Sequence, residues 1–175
     1  MSLIKVKGSS ITGDLPAISG ANLTGISGGK VLKVEQFDCS SDYNTTSATF
    51  SNYVTKSFTP TSASSTIFYF LTFVYQMYGN TSSNDASGAI KIVSEATGSQ
   101  VTICQQGFVT VSHGNSNTHY EEMSGSCSGS EASQGTSAYN IKLAAATRGT
   151  GRMRVLGTDS NNTKPVMLTV MEVAS

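Results

Sequence analysis

The sequence predicts an all-β protein, with an antiparallel, jelly-roll-like β-sandwich in residues 30–175. Segments rich in β-branched and aromatic residues alternate with clusters of Gly, Ser, Asn and Pro, which is typical of sandwiches and barrels. No segment keeps the apolar period of 3.6 residues that a helix on a protein core would show. The predicted strands are Val31–Phe37, Ser47–Phe58, Ile67–Tyr78, Ala89–Glu95, Val101–Val111, His119–Met123, Ala138–Thr147 and Val166–Val173.

Composition excludes two classes of partner. The chain has 175 residues, no net charge and only 13% charged residues. Nucleic-acid binding depends on clustered positive charge, so a neutral chain with few Lys and Arg residues is a poor candidate for it. No apolar run approaches the roughly 20 residues that span a bilayer. We therefore expect neither nucleic acid nor a membrane as a partner.

The first 29 residues, called the leader below, differ from the rest of the chain. They contain no aromatic residue, and the pattern L-x-x-I-S-G begins at Leu15 and again at Leu23. Two copies are too few for a solenoid, and the apolar residues are too sparse for a core of their own. We expect Leu15, Ile18, Leu23 and Ile26 to pack against the same residues of identical chains. A flexible linker is the alternative.

The segment Ile67–Tyr78 is the most informative predicted strand. Ten of its twelve residues are apolar or aromatic, so it barely alternates with polar residues. A strand of this kind needs cover on both faces. We expect a partner subunit to supply the second cover, and the alternative is the central strand of a monomeric sandwich. The interface or core residues would be Phe68, Tyr69, Phe70, Phe73 and Tyr75.

No segment carries a convincing catalytic or metal-binding motif. Gly125–Gly129 resembles a nucleophile elbow with cysteine as nucleophile, but its flanks read as loops rather than as a strand and a helix. His113 and His119 flank a polar loop, where solvated histidines are more common than ligands. The basic segment 147–154 is interpreted as a solvated turn rather than an anion site. We expect no enzyme activity, no cofactor and no metal.

The three cysteines, Cys39, Cys104 and Cys127, are widely spaced and form no C-x-x-C motif. The N-terminus lacks the apolar core of a secretory signal, so we expect synthesis in a reducing compartment. Free and mostly buried thiols are the favoured interpretation. A single intrachain bridge is the alternative.

Three segments resemble a family of phage fibre-type proteins that is common among marine and cyanobacterial tailed viruses. They are Gly29–Phe37 (GKVLKVEQF), Ser57–Ile67 (SFTPTSASSTI) and Leu168–Ala174 (LTVMEVA). The leader segment Asp14–Gly25 is similar to sequences that precede such domains. The middle of the chain does not match. The matching motifs are structural and carry no catalytic residue.

This resemblance implies a homotrimeric β-sandwich on a virion, with a short extended stalk that docks onto other virion proteins. We expect a fibre or surface appendage whose sandwich is displayed outward for attachment to a host glycan or protein. The alternatives are a decoration protein that stabilises the particle and a free carbohydrate-binding module. The loops expected to face a ligand are 79–88, 113–118 and 125–136. Within and beside them, the candidate residues are Asn80, Asn84, His113, Asn115 and His119.

Overall fold

The computed structural model describes residues 30–39, 42–78, 85–111, 120–148, 151–156, 158–159, 162–163 and 166–175. These residues form twelve strands and no helix, so the prediction of an all-β protein is confirmed. The strands are β1 (Val31–Asp38), β2 (Tyr43–Thr45), β3 (Ser51–Phe58), β4 (Ser65–Tyr78), β5 (Asp85–Ser94), β6 (Val101–Val111), β7 (Tyr120–Ala132), β8 (Tyr139–Arg148), β9 (Arg152–Leu156), β10 (Thr158–Asp159), β11 (Asn162–Thr163) and β12 (Met167–Ala174).

Two antiparallel sheets make up the sandwich. The first, sheet A, has the order β1-β12-β4-β9-β2, and β7 pairs with the other edge of β4. The second, sheet B, has the order β3-β8-β5-β6. A separate small hairpin joins β10 to β11. The predicted sandwich of two sheets is therefore present.

The core lies between the inward faces of the two sheets. Strand β4 contributes every second residue from Ile67 to Met77 to this core, and sheet B contributes Ile90, Ile92 and Leu143. Side chains of a strand alternate between its two faces, so β4 presents its other set of residues outward. That set includes Phe68 and Phe70.

Two predicted loops are largely strand. The segment 125–136 was expected to be a loop, but β7 continues through it to Ala132. Serines alternate there with Gly125, Cys127 and Gly129, and this period of two follows the pleat despite the loop-like composition. A Cβ on Gly125 would lie 2.6 Å from Cζ of Phe73, so the glycine makes room for a core ring.

The basic segment 147–154 was also expected to be a turn, but β9 begins within it at Arg152. Within β9, Met153 and Val155 are buried, and the strand pairs with β4 on one side and β2 on the other. Two arginines interrupt its apolar residues, and that hid the strand from composition alone.

Candidate functional site

The five aromatic residues predicted for the interface or core lie on opposite faces of β4. Tyr69, Phe73 and Tyr75 point inward and are buried in the core. Phe68 is half-buried on the outward face, and Phe70 beside it is 41% exposed. The described residues of the chain therefore cover β4 fully on one face and only in part on the other.

An apolar patch surrounds Phe68 and Phe70 on the outer side of sheet A. Residues in register across an antiparallel pair share a face, so the pairings define the rows of this patch. One row joins Val34 to Met171 and then Phe68, and another joins Val31 to Val173. Val31 is 49% exposed and Val34 is 57% exposed. The patch, called the outer patch below, consists of Val31, Val34, Phe68, Phe70, Met171 and Val173.

The same face of the sheet becomes polar at β7. Phe68 and Phe70 pair with Ser130 and Ser128, and exposed serines continue to Ser126 and Ser124. This serine row is what an antiparallel sheet facing water normally presents. The outer patch departs from that rule on three neighbouring strands.

Two of the segments that carry the family resemblance meet at one buried carboxylate. Glu172, near the end of β12, has no exposed surface. It accepts hydrogen bonds from the backbone N–H of Thr61 at 2.9 Å and of Ser62 at 2.8 Å. The hydroxyls of Thr61 and Ser65 donate to it at 2.8 and 2.7 Å. The turn between β3 and β4 is thus organised by the glutamate of the last strand.

These hydrogen bonds also decide the charge of Glu172. Burial would raise the pKa of its carboxyl, but the hydrogen bonds from Ser65, Thr61 and Ser62 outweigh that effect and lower the pKa below its ordinary value. The glutamate is therefore ionised at neutral pH. It acts as a structural anion, since the hydrogen bonds described for it come from the turn and from the first residue of β4.

A disulfide joins the edges of the two sheets. Cys104 in β6 bonds to Cys127 in β7, with their Cα atoms 6.3 Å apart. The expectation of three free thiols is wrong for this pair, and the intrachain bridge left open as the alternative is the observed state. Cys127 therefore cannot act as the nucleophile of an elbow. Cys39 is free and buried, and burial raises the pKa of its thiol to about 11.

Two arginines of the basic segment contact neighbouring side chains. Arg154 forms a salt bridge with Asp42, and the guanidinium of Arg152 lies 4.2 Å from the ring centre of Tyr78. The segment is part of a strand, so the predicted solvated turn is wrong for residues 152–154.

A polar cleft of about 440 Å³ lies between the β5–β6 turn and the β7–β8 loop. Glu95 and Asn140 lie on its wall, and Lys142 donates to Glu95 at 2.5 Å. The hydrogen bonds from Lys142 and Asn140 lower the pKa of the Glu95 carboxyl, so it remains negative at neutral pH. Gly98, with a φ of 76°, reverses the chain at the rim. The remaining residues of the cleft are Ala96, Gln134, Gly135, Ser137, Ala138 and Tyr139.

Beneath this cleft, a tyrosine pair connects the wall to the core. The hydroxyl of Tyr69 donates to Glu131 at 2.5 Å and lies 2.6 Å from the hydroxyl of Tyr139. Burial, and after it the hydrogen bonds with Glu131 and Tyr139, raise the pKa of Tyr69, so its hydroxyl is neutral at neutral pH.

The two ends of the sandwich carry different segments. One end, called the leader end, carries residue 30 and the C-terminal end of β12. It also carries the turns 59–64, 95–100 and 133–138. The connection β4–β5, the connection β6–β7 and residues 46–50 start and finish at the other, called the far end. The polar cleft lies at the leader end.

Most candidate residues lie outside the described part of the chain. This holds for the leader residues Leu15, Ile18, Leu23 and Ile26 and for the loop residues Asn80, Asn84, His113, Asn115 and His119. Sequence reasoning did not find the contributions of β1 and β12 to the outer patch. Their alternating apolar residues were visible, but the pairing that brings them beside Phe68 was not.

Among the residues described, no group of three or more His, Cys, Asp or Glu side chains could hold a metal ion. A separate search of those residues finds no helix with the length and apolar character needed to cross a membrane.

No protein-family model matches this chain, and no curated protein is significantly similar to it.

Proposed function

We propose that this chain is a structural protein of a phage virion, a short homotrimeric fibre or surface appendage. The leader would anchor it to other virion proteins, and the sandwich would project outward to contact a host glycan or protein. One observation carries the proposal: the leader joins the sandwich at one end, and two of the loops expected to face a ligand depart from the other. Fourteen-residue β4 runs between these ends, a span of about 43 Å.

The interlocked turn gives further support. The motifs SFTPTSASSTI and LTVMEVA lie more than 100 residues apart, yet Glu172 of the second hydrogen-bonds the turn of the first. The resemblance to phage fibre-type proteins thus rests on residues that form one structural unit. Because the two motifs depend on each other for these hydrogen bonds, they have a physical reason to occur in the same chain. Short sequence matches that do not contact each other would have no such reason.

We also propose that the sandwich is a jelly roll. A jelly roll has eight strands in two Greek keys. The four short strands, β2, β9, β10 and β11, are left out of this numbering. The remaining strands, numbered one to eight along the chain, are β1, β3, β4, β5, β6, β7, β8 and β12. Sheet A then has the order one-eight-three-six and sheet B the order two-seven-four-five. This winding supports a place among virion proteins, since many capsid domains share it, although fold alone does not establish function.

The test is deletion of residues 1–28 in the infecting virus. We expect the shortened chain to fold and to be missing from purified particles, because the anchor has been removed. Normal incorporation would contradict the proposal. Particles that lack the whole protein should adsorb to host cells poorly. Normal adsorption together with faster genome loss on heating would instead assign it the role of a decoration protein.

A second candidate, a carbohydrate-binding module that needs no particle, is favoured by the polar cleft. Glu95 and Asn140 offer fixed hydrogen-bond partners there, and Tyr139 adds an aromatic ring. Calorimetric titration of the purified chain with glucose, galactose and N-acetylglucosamine tests it. Binding that Asn140→Ala abolishes and Ser126→Ala leaves intact would support this function. Absence of heat with all three sugars would count against it.

A further inference from the structure

The outer patch breaks the pattern of its own sheet. On β7, the outward face carries exposed serines, whereas on β4, β12 and β1 the outer patch adds Phe, Met and Val beside Thr169 and Gln36. A contiguous apolar patch on a soluble protein usually marks an interaction site, because water solvates it poorly. Val34 and Phe70 are 57% and 41% exposed, so the described part of the chain leaves this surface uncovered.

The rows that cross the patch contain no charged side chain. The row from Val34 ends at Ser130, and the row through Phe70 runs from Gln36 through Thr169 to Ser128. Two identical copies of such a surface can meet without bringing like charges together, which would otherwise oppose self-association. A strongly charged partner would find no opposite charge to pair with on these rows.

The position of the patch also favours a second copy of this chain. The patch begins at Val31, one residue after Lys30, where the leader joins the sandwich. Chains whose leaders run together would hold these residues near a common axis at high effective concentration. The patch therefore lies where packing between the domains would begin.

We propose that the outer patch is the surface through which the sandwich domains of identical chains pack around their common axis. This inference rests on the proposed function only in taking the chain to be self-associating. It assigns Phe68 and Phe70 to the contact and leaves Tyr69, Phe73 and Tyr75 to the core. It also adds Val31, Val34, Met171 and Val173, which come from two other strands.

The experiment measures access to the patch in the full chain. Single cysteines replace Phe70 in one variant and Thr55, an exposed residue of sheet B, in the other. Maleimide labelling is followed by mass spectrometry under conditions where light scattering gives three times 18.3 kDa. We expect labelling at position 70 to be at least tenfold slower than at position 55. Adding Val34→Lys to the Phe70→Cys chain should remove most of that difference, whereas Thr55→Lys should not.

Three results would overturn the inference. Equal labelling at positions 70 and 55 in the trimer would mean that the leader alone holds the chains together. A monomer in which deletion of residues 1–28 exposes position 70 would assign the patch to the chain's own leader. A monomer with both positions reactive would leave no self-association. Incorporation into particles, measured separately, decides the proposed function in each case.

Discussion

Glu172 is the residue on which the β3–β4 turn most depends. Four donor groups converge on its carboxylate, and all of them belong to Thr61, Ser62 and Ser65. Replacing Glu172 by Gln substitutes an amide donor for one acceptor oxygen, so some of these groups lose their partner. We expect Glu172→Gln to lower the free energy of unfolding at pH 7 by about 2 kcal/mol. Urea unfolding followed by circular dichroism measures this.

The same substitution should change the pH dependence of stability. The native fold lowers the pKa of Glu172, so ionisation stabilises the protein above about pH 4.3, the ordinary value in an unfolded chain. That contribution is lost as the pH falls through the native pKa. The gap between wild type and Glu172→Gln should therefore narrow below about pH 4. Glu35→Gln is the control, and an equal effect from it would contradict the role given to Glu172.

Gly125 tests how closely β7 packs on the core. A Cβ at this position would lie 2.6 Å from the ring of Phe73, which is buried. We expect Gly125→Ala to destabilise the fold by about 2 kcal/mol, since overpacking a dense core forces side chains to shift. The matched control is Gly107→Ala, where the nearest atom to a new Cβ is 4.0 Å away. Thermal unfolding should separate the two variants, and equal midpoints would argue against close packing.

At the scale of elements, the disulfide joins two edge strands, β6 of sheet B and β7 of sheet A. Cys104 and Cys127 are 23 residues apart in sequence. Replacing both by Ala should cost about 3 kcal/mol, because the unfolded chain loses the constraint of a closed loop of this length. Reductant should destabilise the wild type and leave the double variant unchanged.

A thiol count provides an independent check of the bridge. Without reductant, the denatured wild-type chain should show one reactive thiol, that of Cys39. Three reactive thiols would show that the bridge does not form in the purified protein.

The strands that were predicted well are those whose own residues are rich in apolar, aromatic and β-branched side chains. Strand β6 lies at the predicted bounds, and β4 differs by only two residues at its start. The prediction for β7 ended too early, at Met123, because the serines and glycines that follow resemble a loop. Strand β9 was missed because its five residues include two arginines. In both cases the neighbouring strand, rather than local composition, stabilises the extended chain.

The sandwich has two ends that carry different segments, and the proposed function predicts that they differ in accessibility on a particle. A short epitope inserted after Thr97 would mark the leader end, and one inserted after Ala48 would mark the far end. We expect an antibody to bind intact particles through the second epitope and not through the first, because the leader end would face the particle. Denatured protein should bind it equally well through both. Equal binding on intact particles would contradict the orientation.

Neither end could be located from the sequence. The alternation of residues predicted two faces for each strand, but strand order depends on contacts between distant segments. The outer patch shows the consequence most clearly, since Val34, Phe68 and Met171 are far apart in the chain and adjacent in the sheet. The composition of the aromatic strand therefore predicted that β4 has a second apolar surface. It could not predict which residues of β1 and β12 belong to that surface.

The position of β1 determines how the domain would respond to mechanical force. This strand begins next to the leader and runs in the same direction as β4, paired with β12 from Val31 to Asp38 with one bulge at Leu32. Tension applied through the leader would pull β1 along its own direction, across hydrogen bonds that lie perpendicular to it. Such a load is shared by the ladder as a whole, whereas a pull at right angles would break the bonds one by one. A domain tethered in this way would resist tension applied through the leader far better than the same eight-residue strand would resist a pull at right angles.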